Sequence, residues 1–379
     1  MQRRRFLSAS LAAGAAAVSP RIGAAPGLPV LVLIELNGGN DGLNTLVPFA
    51  DPQYARVRPH LGIARQDVLQ LDEHVGMHPS LAPLMPAWRD AELAWVQGVG
   101  YTPPNRSHFR SIEIWDTAST RESASSTGWI GAAFAEPGFK RPAQLDAMVL
   151  GRAYYGPVAG AHMRSIYMRN PKSLVSRASR LRALEQSTTN TALAHVLRIG
   201  RDLSVSSSII RDVLKRQQQA DTAGMKGQLG KQLALVTRMI QGHADVGVYK
   251  LSHSGYDTHA GQGGRHRALL GGLGGALAAF RTHLRASGHW QDVVVATYSE
   301  FGRRVAQNSS GGCDHGTAAP HLLLGARVRG GLYGRYPSLT DLDRGDLRPA
   351  VSITDYYAMM ARFAWNRIPA VLGRTRVLV

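Results

Sequence analysis

The segment PVLVLIEL, Pro29 to Leu36, is a continuous apolar run with β-branched residues that stops at the turn signal Asn37-Gly38-Gly39. A strand with one wet face alternates apolar and polar residues. A run without alternation is buried on both faces, the condition of a strand inside a parallel sheet covered by helices. Leu93 to Val99, Gly247 to Leu251, Asp292 to Tyr298 and His321 to Leu324 have the same character. Helical patterns lie between them: Leu81 to Arg89, and Leu269, Leu270, Leu273, Leu277, Phe280 and Leu284 at spacings of three and four. Strands alternating with helices predict an α/β protein, a doubly wound, mostly parallel sheet with helices on both faces.

One stretch departs from this rhythm. From Ser173 to Gln241 no strand signal is visible, and apolar residues recur at helical spacing at Leu174, Leu181 and Leu184, then at Ile210, Val213 and Leu214. Residues 160–242 are therefore expected to form an all-helical insertion or cap on a domain spanning 26–379. Between Gly160 and Ile240 there are 14 Lys/Arg against 4 Asp/Glu. Such an excess attracts anionic lipid, polymer or charged substrate, or belongs to a solvated helical surface.

The N-terminus has its own logic. Arg3-Arg4-Arg5-Phe6-Leu7 followed by the weakly apolar run Ala9 to Val18 has the form of a twin-arginine export signal, with Gly23-Ala24-Ala25 as the cleavage region. The run is well short of the roughly 20 residues that cross a bilayer, and no later run is long enough. The expected product is a periplasmic or extracellular protein delivered by the twin-arginine translocase, with no transmembrane segment. Of the formal charge of +18, removal of Arg3, Arg4, Arg5 and Arg21 leaves +14. Cys313 is the single cysteine, so no intramolecular disulfide forms.

In open α/β sheets ligands gather at the carboxyl ends of strands. Acids, imidazoles and hydroxyls cluster there: Asn37 to Gly42 with Asp41, then Arg106-Ser107-His108, Asp257-Thr258-His259, Glu300-Phe301-Gly302-Arg303, and Asp314-His315 just before the next strand. Mixed carboxylate and imidazole ligation suits zinc or manganese, as one ion or as two that clamp the oxygens of an in-line displacement. Ser107 is then the nucleophile, activated by metal. No Gly-x-Ser-x-Gly elbow is present, which argues against a serine hydrolase.

At these residues the sequence resembles a bacterial family catalogued as domain of unknown function 1501. The shared pattern is IELNGGNDGLNTLVP at 34–48, HPSLAPL at 78–84, GVGYTPPNRSHF at 98–109, DTHAGQ at 257–262, SEFGRRVAQN at 299–308 and DHG at 314–316. That family in turn resembles the alkaline phosphatase and sulfatase superfamily, with a two-metal site on a doubly wound fold. The resemblance implies Ser107 as nucleophile and Asp41, Asp257, His259, Glu300 and His315 as metal ligands. His108 enters as a ligand or as proton donor to the leaving group, and His253 as an alternative imidazole. Glu300-Phe301 stands where the superfamily has Asp-His. Cys313 lacks the Cys-x-Pro-x-Arg context of a formylglycine sulfatase.

The expected activity is a metal-dependent hydrolase or transferase acting on phosphate, less readily sulfate, esters of an anionic extracytoplasmic small molecule or polymer. Arg106 and Arg303 are the candidate anion-binding residues. The competing reading is a non-catalytic binding or assembly protein that holds an anionic polymer through the basic helical block. An aromatic content of 7% and the absence of a nucleic-acid motif argue against nucleic acid as a partner.

Overall fold

A computed structural model describes residues 29–121, 126–170, 176, 188–217 and 221–376. The signal at 1–25 and Leu174, Leu181 and Leu184 lie outside the described residues.

Nine strands form one sheet: β1 (Val30–Asn37), β2 (Leu93–Gly100), β3 (Leu145–Leu150), β4 (Ser165–Met168), β5 (Val246–Ser254), β6 (Val293–Tyr298), β7 (Ala319–Leu324), β8 (Gly331–Tyr333) and β9 (Val351–Ser352). Their order is β8-β2-β7-β6-β1-β5-β3-β4, with β9 also beside β2. Every pairing is parallel except those of β7, which runs antiparallel to both β2 and β6.

The helices are α1 (Pro52–Val57), α2 (Met85–Arg89), α3 (His108–Thr117), α4 (Trp129–Ala135), α5 (Thr191–Arg216), α6 (Gly227–Gln241), α7 (Gln262–Ala286) and α8 (Ile353–Trp365). They cover both faces. Along β1, Val32, Ile34 and Leu36 join one apolar cluster with α6 and α7, while Leu31 and Leu33 join another with α3, α4 and α8. The uninterrupted apolar run of β1 is thus explained: both faces are dry. On α7 the predicted stripe is present, with Leu270, Leu273, Leu277, Phe280 and Leu284 all buried and Leu269 partly so.

The structure corrects three expectations. Residues 160–242 are not all helical, because they begin with β4. Nor is α6 a cap: Leu229, Leu233, Val236 and Met239 are buried in the same cluster as Met148 of β3 and Tyr249 of β5. The basic block therefore supplies one strand and one layer of the core, and α5 packs on α6 and β4. Leu81 to Arg89 is not one helix. Pro79–Leu84 forms a 3₁₀ turn before α2, because Pro83 and Pro86 have no N–H to donate to an α-helical ladder. Strand β3 lacked an apolar signal because it carries Asp146, which is buried between Arg141 (Nε 3.0 Å) and Arg164 (Nη2 2.8 Å). No helix among the described residues is long and apolar enough to cross a membrane.

Beneath the carboxyl edge of the sheet three ionisable groups are sealed from water. Lys250 Nζ lies 2.7 Å from Glu35 Oε2, and neither residue is exposed. Asp116 of α3 is 3% exposed, with the Tyr154 side chain as its nearest polar neighbour. Burial pushes its pKa up to about 8, against the pull of the Lys250 charge. Asp116 therefore folds as a neutral acid at pH 7, whereas the unfolded chain loses that proton near pH 4. Its cost is absent below pH 4, grows by at most about 1.4 kcal/mol per pH unit and levels off near pH 8. Asp116→Asn, which removes that titration, should raise stability at pH 8 and do little at pH 4. Denaturant unfolding at the two pH values checks this, and a gain that does not grow with pH would refute it.

Candidate active site at the carboxyl edge of the sheet

Strands β1, β2, β5 and β6 all end at one edge. Because β7 is antiparallel, the residues that precede it arrive at that edge as well, which brings Asp314 and His315 to the loops that follow the other strands. A short antiparallel bridge between Arg303 and His315 ties the loop after β6 to the loop before β7. Gly302 N donates to Thr317 O and Gly316 N to Gly302 O, at 2.8 and 2.9 Å.

Asp257 is the centre of the cluster. Its Oδ1 lies 3.0 Å from His259 Nε2 and 3.3 Å from His315 Nε2, and the two Nε2 atoms are 2.9 Å apart. His108 Nε2 approaches the other oxygen, Oδ2, at 3.7 Å. One ligand atom each from His108, Asp257 and His315 falls within 4.8 Å of the others.

Each imidazole is held by its far nitrogen. His315 Nδ1 lies 2.9 Å from Arg106 O, His259 Nδ1 3.1 Å from Asp314 Oδ1, and His108 Nδ1 2.9 Å from Glu300 Oε1. A carbonyl or carboxylate partner requires Nδ1–H, which leaves the Nε2 lone pair of a neutral ring pointing into the cluster. Burial lowers the pKa of His315. The Glu300 hydrogen bond raises that of His108, against burial. Partial burial pulls the Asp257 carboxyl upward, but the Arg303 hydrogen bond and charge hold it below the usual range.

His259 Nε2, His315 Nε2 and Asp257 Oδ1 lie 2.9 to 3.3 Å from one another, and Arg303 Nη1 stands 3.4 Å from His259 Nε2. Adjacent ligands around tetrahedral zinc, with bonds near 2.0 to 2.1 Å, are about 3.3 Å apart. The donor set and its spacing fit a single divalent ion.

Arg303 builds the floor. It is 2% exposed, and it reaches from Nε to Gly39 O (2.7 Å), from Nη1 to Cys313 O (2.9 Å) and His259 Nε2 (3.4 Å), and from Nη2 to Gly38 O, Tyr256 O (3.0 Å) and Asp257 Oδ1 (2.7 Å). With its donors consumed it cannot be a substrate ligand, which corrects the sequence expectation. The turn it grips needs glycine. Gly38 has φ +117°, and a Cβ there would meet Asp257 N at 2.4 Å; Gly39 has φ +80°, and a Cβ would meet the Phe301 ring at 2.5 Å. Phe301 in turn lies against His315 and His108, with ring centroids 4.4 and 5.0 Å away.

Other expected ligands are elsewhere. Asp41 is 1% exposed and closed by Arg58, at 2.6 and 3.1 Å, and by Gln262. Burial raises its pKa, but the Arg58 charge and hydrogen bonds outweigh this and leave it lowered. Asp41 is thus a buried ion-pair partner rather than a ligand. Glu300 accepts from Gly38 N (2.9 Å) as well as His108, so it orients the cluster without joining it. Arg106 is paired with Asp346. His253 bonds Tyr256 Oη at 3.0 Å, and burial lowers its pKa to about 4. The Cys313 thiol is buried and pushed up to about 12, so it is inert.

Ser107 is exposed and caps α3 without a side-chain hydrogen bond to the first turn. Its hydroxyl stays uncommitted beside helix-start N–H groups that have no intrahelical partner. Sequence reasoning missed Arg58, which sits in no motif, and the role of Asp314, which was visible only as part of DHG.

The Asp41–Arg58 pair generates a test. Arg58→Ala strands a buried carboxylate and should cost roughly 3–5 kcal/mol. Asp41→Asn combined with Arg58→Met should cost less than Arg58→Ala alone. Equal losses in urea unfolding would contradict a buried pair.

Several solved structures align with most of the chain at low identity. The C-terminal periplasmic domain of EcEptC from Escherichia coli, in complex with zinc, is 8% identical, with a TM-score of 0.42 over 89% of this chain and 83% of that one. A protein in the alkaline phosphatase superfamily from Vibrio parahaemolyticus is 12% identical, with a TM-score of 0.42 over 92% and 69%. The lipoteichoic acid synthase LtaP from Listeria monocytogenes is 10% identical, with a TM-score of 0.37 over 91% and 74%. No curated protein matches the chain. The model of the family described as "Protein of unknown function (DUF1501)" matches residues 29–361, from the start of the first strand into the last helix, and the chain belongs to that family.

Proposed function

We propose that the protein is an exported, metal-dependent hydrolase or transferase acting on phosphate, or less readily sulfate, esters, with Ser107 as nucleophile. The observation that carries this is the convergence of His259 Nε2, His315 Nε2 and Asp257 Oδ1, 2.9 to 3.3 Å from one another. Asp257, His259 and His315 would hold one divalent ion, zinc or manganese, and such an ion would supply Lewis acidity toward a bound ester oxygen.

The chain's own groups divide the remaining work. Ser107 opens α3, so the N–H groups of that first turn face an anion bound beside its hydroxyl. His108 differs from the other two rings: the Glu300 hydrogen bond at Nδ1 raises its pKa and favours a second proton, at Nε2, for the leaving oxygen. Asp314 and the Arg106 carbonyl fix the rings of His259 and His315. Arg303 sets a permanent positive charge 2.7 Å from Asp257, and Arg58 neutralises Asp41. With Asp41 already neutralised by Arg58, this reading takes one ion rather than two.

The decisive experiment measures metal per chain and turnover of phosphomonoester, phosphodiester and sulfate esters. Wild type and Asp41→Asn should both bind close to one ion, His315→Ala should lose it, and Ser107→Ala should keep it while losing about 1000-fold or more in kcat. A metal-free, inactive wild type that still binds anionic polymer would replace this reading with the non-catalytic one. Metal lost in Asp41→Asn with its folding intact would restore Asp41 as a ligand.

A further inference from the structure

The carboxyl edge of the sheet carries a second concavity, on the far side of β5 from β1. It has a volume of about 620 Å³ and is lined by the ends of β3, β4 and β5 and by α6, with Arg152, Arg169, Lys231 and Arg238 among its walls and, among the described residues, no carboxylate. Arg152 shares the single carboxylate of Glu35 with Lys250, at 2.9 and 2.7 Å, so that trio keeps one positive charge. Among the described residues Arg169, Lys231 and Arg238 form no salt bridge. Ser252, 4% exposed, also lines the groove, and its hydroxyl has no hydrogen-bond partner.

Like charges gathered without counter-ions raise the energy of the free protein and lower that of an anionic complex. Their spacing selects the anion. Lys231 and Arg238 are seven residues apart on α6, two turns on one face and about 10 Å along the axis. A single tetrahedral oxyanion cannot reach both ends; a chain bearing several can. The groove is also placed to serve the metal cluster. Strand β5 supplies Ser254 to the groove and, three residues later, Asp257 to the cluster, and the step from β1 to β3 is two strand spacings, about 10 Å.

We propose that this groove is the subsite for the part of the substrate beyond the reacting ester, and that this part carries further phosphate-type anions. The inference rests on the ester-acting reading for its catalytic meaning, while anion binding in the groove is measurable without turnover.

The test uses tripolyphosphate and orthophosphate as probes in calorimetric titrations at low salt. Wild type should bind tripolyphosphate at least ten-fold more tightly than orthophosphate. Arg169→Ala/Lys231→Ala, which alters two exposed side chains, should weaken tripolyphosphate at least ten-fold. The matched double variant Arg329→Ala/Arg362→Ala, which removes two exposed arginines around a separate cavity, should not. His315→Ala should retain tripolyphosphate binding. In turnover of a small aryl phosphate, tripolyphosphate should inhibit the groove variant at least ten-fold less strongly than wild type. Equal tripolyphosphate affinity in wild type and groove variant, or equal losses in both double variants, overturns the groove. Intact groove binding in a protein that turns over no ester overturns the catalytic reading alone.

Discussion

Burying a guanidinium without full hydrogen bonding costs several kcal/mol, so the surroundings of Arg303 are tightly constrained. Its acceptors come from the turn after β1 (Gly38 and Gly39), the loop after β5 (Tyr256 and Asp257) and the loop before β7 (Cys313), while the residue itself follows β6. One side chain therefore fastens four strand ends to each other. The positive φ of Gly38 and Gly39 follows from this demand, because only a backbone without Cβ can turn its carbonyls toward the cation while touching Asp257 and Phe301. The cluster is rigid because its foundation is a cation already satisfied by the backbone.

That arrangement explains which parts of the molecule were legible in the sequence. Strands β1, β2, β5, β6 and β7 announce themselves because burial on two faces leaves an apolar run. Strand β3 does not, since Asp146 interrupts it and is rescued by Arg141 and Arg164, one before the strand and one beyond it. The direction of β7 is invisible as well, for an apolar run carries no polarity. The loops were found by their polar residues, yet the division of labour within them was not. Asp41 and Asp257 are equivalent as letters after a strand. What separates them is Arg58, which folds back from the far end of α1 onto Asp41. Arg303 looked like an anion ligand because sequence shows a cation near acids and hides the carbonyls that consume it.

Charge is graded along the carboxyl edge. Around β6, β1 and β5 each buried cation has a carboxylate partner: Arg58 with Asp41, Arg303 with Asp257, Lys250 with Glu35. Farther along, at β4 and α6, Arg169, Lys231 and Arg238 have no carboxylate partner among the described residues. A balanced centre carries little fixed positive charge to repel an incoming cation. An unbalanced flank does the opposite and draws anions. Two incompatible electrostatic demands are thus met on one sheet by separating them across β5.

This separation recasts the basic helical block. As a solvated surface its excess of cations would be incidental, and as a cap it would be dispensable. Instead α6 buries Leu229, Leu233 and Val236 in the core while Lys231 and Arg238 line the groove, so the same helix closes one face of the sheet and charges its edge. Removing the block would unseat β4 and strip the cover from β3 and β5 before it altered any specificity. Single surface substitutions, not deletions, are what can separate its structural role from its binding role.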